Sequence, residues 1–79
     1  MLKKEIKKIL ENMDTHEEIN FHSIGNQGWR TDRVSRVGAT EYRIYSSGQG
    51  WSDQVTEEFS FKDTLKIIWS SRPQSAIEN

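Results

Sequence analysis

The sequence predicts a small two-layer α+β domain, with an N-terminal helix, a three- or four-stranded antiparallel meander and a C-terminal helix. Three observations predict it. Apolar residues recur at helical spacing near both ends of the chain, alternating segments punctuated by turn residues fill the middle, and each helix carries a single apolar stripe. A helix with one apolar stripe has to bury it against another element, so both helices are expected on one face of the sheet. The other face is then open.

Residues 2–13, LKKEIKKILENM, place Leu2, Ile6, Ile9, Leu10 and Met13 on one stripe, with Lys3, Lys4, Lys7, Lys8 and Glu11 off it. Lysines in the first two turns sit at the positive end of the helix dipole, which is mildly unfavourable. A solvated polar face accounts for them; an acidic partner or a membrane surface is the sharper alternative. Residues 14–18 form a polar break. Ile19 to Ile24 then alternates, and the Gly25-Asn26-Gln27-Gly28 turn leads into a central hairpin.

That hairpin, Trp29 to Trp51, turns at Gly38-Ala39. A type II′ turn with Gly38 at positive φ sets Val37 opposite Thr40, then Arg36 with Glu41, Ser35 with Tyr42, Val34 with Arg43, Arg33 with Ile44 and Asp32 with Tyr45. One face then carries Thr31, Arg33, Ser35, Val37, Thr40, Tyr42 and Ile44, and packs under the helices. The other carries Arg30, Asp32, Val34, Arg36, Glu41, Arg43 and Tyr45, and faces outward. A three-residue loop would shift the pairs by one and exchange the faces.

Ser46 to Gly50 reads as a loop, and Val55 to Phe59 as a fourth, edge strand or an irregular lead into the helix. Ser60 followed by Asp63 resembles a capping box, after which Phe61, Leu65, Ile68 and Trp69 share a stripe that Ile67 lies off. Pro73 disfavours helical geometry at Arg72, so the helix should end near Ser71. The domain is therefore assigned to residues 1–72, with 73–79 as a loose tail.

Composition narrows the function classes. The 79 residues contain no cysteine, which excludes disulfides, thiolate metal sites and cysteine nucleophiles and favours a cytoplasmic setting. Net charge is −1, with seven basic residues against six acids over 1–37 and four against six over 38–79, a poor footprint for a nucleic-acid binder. No apolar run is long enough to span a bilayer, so no membrane partner is expected.

Neither histidine pattern nor glycine loops carry chemistry. His16 and His22 lack helical metal-site spacing, and neither Gly25–Gly28 nor Gly48–Gly50 opens a helix as a phosphate-cradling loop does. Glu57 and Glu58 point to opposite sides of a strand, and no serine sits in a nucleophile elbow. The expectation is a non-enzymatic protein without metal or cofactor.

What remains is a set of arginines and aromatics, Trp29, Arg30, Arg36, Arg43, Tyr45 and Trp51. These residue types dominate binding energy at protein interfaces, and a sheet holds them rigidly. A protein-binding module is the first reading, with a homodimer as its special case. Single-stranded nucleic acid on the same face is the second, opposed by Asp32 and Glu41. The plain alternative is a solvated sheet face, with the tryptophans closing the core. A Lys-rich short helix, a compact antiparallel sheet and a capped helix on so short a chain are similar to the small proteins that phages and mobile elements encode. That resemblance implies an inhibitor of a host protein.

Overall fold

A computed structural model describes residues 1–25, 28–49 and 56–78 of the chain. The elements run α1 (Lys3–Asn12), β1 (Glu18–Gly25), β2 (Gly28–Arg36), β3 (Glu41–Gly48), β4 (Thr56–Ser60), α2 (Phe61–Ser70) and β5 (Ser75–Glu78). They form one antiparallel sheet of five strands in the order β4-β3-β2-β1-β5, with both helices packed on one of its faces.

The two helices follow their apolar stripes. Ile6 and Leu10 of the first, Met13 just beyond its end, and Ile68 of the second are buried in one core with Ile19, Phe21, Val34, Tyr42 and Ile44 from the sheet. Leu2 stays exposed, while its backbone N–H donates to Glu5 Oε1 at 2.6 Å and closes the first turn. At the second helix Ser60 Oγ accepts from the Asp63 N–H at 3.2 Å, as the capping pattern predicts. Ile67 also packs against the core edge, although it lies off the main stripe.

The hairpin register differs from the turn-based expectation by one residue. Arg36 pairs with Tyr42, Ser35 with Arg43, Val34 with Ile44, Arg33 with Tyr45 and Asp32 with Ser46. The Val37 and Gly38 amides both donate to Glu41 O, at 3.0 and 3.3 Å, leaving Gly38, Ala39 and Thr40 as a three-residue loop. Gly38 does not take a positive φ, so the type II′ turn is not formed. Burial explains the outcome. Only the shifted register brings Val34, Tyr42 and Ile44 to one side, where all three are buried; the alternative would have put Val34 in water.

Two further segments depart from the sequence reading. Ser46 to Gly48 continue β3 instead of looping, because they pair with Asp32, Thr31 and Arg30, and Ser46 Oγ bonds the buried Asp32. Residues 75–78 are not a tail. They pair with β1 from His22 to Ile19, guided by the buried Pro73 and by the Gln74 N–H donating to His22 O at 2.7 Å. Two small anchors outweigh the low apolar content of this segment. The β4 strand forms as an edge, paired with β3 from Glu41 to Tyr45, while Val55 at its expected start lies outside the described residues.

Gly28 is the position where glycine is needed. It pairs with Gly25 at the end of the first hairpin with φ of 117°, and a Cβ there would lie 2.8 Å from Gln49 Oε1.

Candidate functional site

The register decides which side chains share the open face. Glu18, Ser35, Arg43 and Glu58 form one cross-strand row; Ile77, Asn20, Arg33 and Tyr45 form the next. Ser75, His22, Thr31 and Ser47 form a third, and Ile24 with Trp29 a fourth. Among the described residues no element covers these rows.

Of the six residues singled out in the sequence, the structure brings Trp29, Arg43 and Tyr45 to this face. Arg30 and Arg36 are on the opposite, helix-covered side, so the arginine cluster proposed from sequence is not assembled. Trp51 lies outside the described residues. Arg33, placed from sequence on the face under the helices with its head group reaching water at the edge, is instead exposed on the open face beside Tyr45, its guanidinium carbon 5.7 Å from the ring centroid.

Arg36 has a structural task. Its guanidinium donates to Glu11 O (3.2 Å) and Met13 O (2.5 Å) at the end of α1, and to Gly38 O (3.2 Å) and Ala39 O (2.7 Å) in the hairpin loop. The last turn of α1 has no basic residue of its own, so this arginine supplies cationic donors to its free carbonyls from another strand. Arg30 is held differently, with Nε donating to Oδ1 of the fully buried Asp32 at 3.0 Å. Asp32 also accepts from Ser46 Oγ and from Ser71 Oγ at the C-terminus of α2.

Three polar pairs cross the open face. Arg43 Nη2 donates to Glu58 Oε1 at 3.0 Å, Ser35 Oγ donates to Glu18 Oε2 at 3.0 Å, and His22 Nδ1 lies 2.9 Å from Thr31 Oγ1. Glu18, Arg33, Ser35, Arg43 and Tyr45 line a shallow depression. Around the His22–Thr31 centre stand apolar side chains: Ile24 and Trp29 at one end, Tyr45 on the β3 side and Ile77 on the β5 side.

Sequence reasoning missed Ile24, Arg33 and Ile77 as members of this face. The signal for Arg33 was present in the pattern, because a register chosen to keep Val34 with Tyr42 and Ile44 turns it outward. Ile77 carried no such signal, since a lone isoleucine four residues past a proline reads as a tail until its pairing partner is known.

His16 lies in the turn after α1 and His22 in the middle of β1, and among the described residues no cluster of three or more His, Asp or Glu could hold a metal. No described helix is long and apolar enough to cross a membrane. Compared with protein-family models, curated protein sequences and solved structures, the chain matches none.

Proposed function

We propose that this chain is a small, non-enzymatic protein-binding module that docks a partner on its open sheet face. One observation carries the reading. Of the five large apolar side chains exposed among the described residues, Ile24, Trp29, Tyr45 and Ile77 all project from this face, and only Leu2 lies elsewhere. Apolar and aromatic groups gathered on a rigid sheet around satisfied polar pairs have the composition of an interface core. Arg33 beside Tyr45 adds a residue type that concentrates binding energy. Such a face acts by occupying a partner's surface, as an inhibitor, adaptor or subunit does.

Phosphate binding fits this surface less well. Arg43 is engaged by Glu58, Glu18 lies in the same row, and Arg30 and Arg36 are directed away.

The test is an Ile24→Asp, Ile77→Asp double variant, compared with the parent protein in affinity capture from source-cell lysate and in sedimentation over a range of concentrations. Loss of a captured protein, or of a concentration-dependent dimer, with the circular dichroism spectrum unchanged, supports the reading. Identical capture and sedimentation profiles would exclude this face. A parallel titration of tryptophan fluorescence with a single-stranded oligonucleotide at low salt is expected to give no quenching.

A further inference from the structure

The helical layer carries a second surface of different chemistry. Along the seam between α1 and α2, Phe61 and Leu65 form the floor of an apolar groove whose rim is Lys3, Lys4, Lys7 and Lys62. Phe61 and Leu65 are only partly buried, and all four lysines are exposed. None of the four makes an ion pair with a described residue. The acids adjacent in sequence do not line this groove: Glu5 is bound to the Leu2 amide and lines the groove on the other flank of α1, and Asp63, in the first turn of α2 beside Lys62, forms no ion pair with it.

This arrangement carries an energetic cost within the folded chain. Lys3, Lys4 and Lys62 each lie in the first turn of their own helix, at its positive end, and with Lys7 they set four like charges around the groove in a protein whose net charge is −1. Like charges at i, i+3 and i, i+4, as in Lys3–Lys7 and Lys4–Lys7, repel each other across one helix face. A local rule broken without an internal partner to offset it points to an external one.

We infer that the groove is a docking site for an acidic, amphipathic peptide segment of a partner protein, distinct from the contact made by the open sheet face. Apolar side chains of the segment seat on Phe61 and Leu65, and its carboxylates meet the lysine rim. The occupant is a peptide because the apolar floor lies between two helices, where a third helical or extended segment packs. A flat anionic bilayer would touch the rim and leave the floor uncovered.

The test uses fluorescence anisotropy with the full chain and three probes. These are a labelled helical peptide with Leu and Phe on one face and Glu on the other, a peptide of equal charge with Ser in place of Leu and Phe, and phosphatidylserine vesicles. The amphipathic peptide is expected to bind with affinity that falls as salt is raised. The Lys4→Glu, Lys7→Glu, Lys62→Glu variant should weaken it by about tenfold or more, roughly 1.4 kcal/mol. That variant should also unfold at a higher temperature, because it relieves the charge at both helix N-termini, so weaker binding cannot be ascribed to misfolding. The Ile24→Asp, Ile77→Asp variant should bind as the parent does, which separates this site from the sheet face. No binding, equal binding of the Ser-substituted peptide, binding unaffected by the lysine reversals, or preference for vesicles would each overturn the inference.

Discussion

The Arg36 guanidinium lies over the Tyr42 ring at 5.5 Å, and both residues donate to the last turn of α1: Tyr42 through its hydroxyl to Leu10 O at 2.8 Å, and Arg36 to Glu11 O and Met13 O. The two are cross-strand partners in the central hairpin. A single pair from β2 and β3 thus satisfies carbonyls that the helix cannot bond internally.

Arg36→Ala should therefore cost stability out of proportion to its place on a strand. Charge-assisted hydrogen bonds to backbone contribute about 1.5–3 kcal/mol each where a partner would be left unmet, so a loss of roughly 2–3 kcal/mol is expected. Arg43→Ala, which breaks only an exposed pair with Glu58, should change stability by less than about 1 kcal/mol. Urea unfolding of the two variants side by side measures the contrast. Equal losses would show that Arg36 does not hold the helix end.

Burial pushes the Tyr42 phenol above its ordinary range, opposed in part by the Arg36 charge and reinforced by Glu11. The folded state therefore keeps this proton more tightly than the unfolded chain does. Its contribution is fully present below the unfolded pKa of about 10 and is lost as pH rises past it. Thermal unfolding followed from pH 8 to 11 should show a drop that Tyr42→Phe reduces, while Tyr42→Phe itself lowers stability at pH 8 by about 1 kcal/mol through the lost bond to Leu10.

Glu78 behaves in the opposite setting, exposed at the sheet edge. The neighbouring Glu17 carboxylate raises its pKa by charge repulsion and by a shared hydrogen bond, with a smaller contribution from Asp14. A raised carboxyl pKa means that the folded state is favoured while the group is protonated and penalised once it ionises. Glu78→Gln should raise the melting temperature more at pH 7 than at pH 4. An equal shift at both would exclude repulsion as the cause.

The Asp32 carboxylate joins β2, β3 and the end of α2 through Arg30, Ser46 and Ser71. Asp32→Ala removes the acceptor of Arg30 Nε and of the Ser46 hydroxyl, while the Ser71 hydroxyl keeps Ile68 O at 2.9 Å, and should cost about 3–5 kcal/mol, the range for removing one member of a buried ion pair. Ser71→Ala removes the longest of the bonds to Asp32, 3.3 Å, together with a local bond to Ile68 O, and should cost about 1 kcal/mol. Differential scanning calorimetry would rank the two.

Much of the fold was legible because local signals agreed with it. The helical stripes, the Ser60 cap and the breaks at Gly25, Gly28 and Pro73 each act over a few residues and needed no tertiary information. The candidate site was legible only in part. Its residues depend on register, and register was settled by burying Val34 beside Ile44, a long-range gain that overrode the turn preference of Gly38. Arg36 illustrates the same limit. From sequence it is one of three arginines with equivalent alternation, and only its meeting with the end of α1, more than twenty residues earlier, makes it structural. The pairing of Ser75–Glu78 with β1 likewise depends on residues more than fifty positions away.

Neighbours in the sheet are neighbours in the chain with one exception, the pairing of β5 with β1. Every other ladder joins strands that follow one another in the chain, whereas this one must close a loop of about fifty residues before its four pairs return anything. The last strand should accordingly be the late arrival in folding and the early departure in local opening, with amide protons that exchange with deuterium ahead of those in β2 and β3. Since Ile77 rides on that strand, one border of the outward surface comes and goes with it.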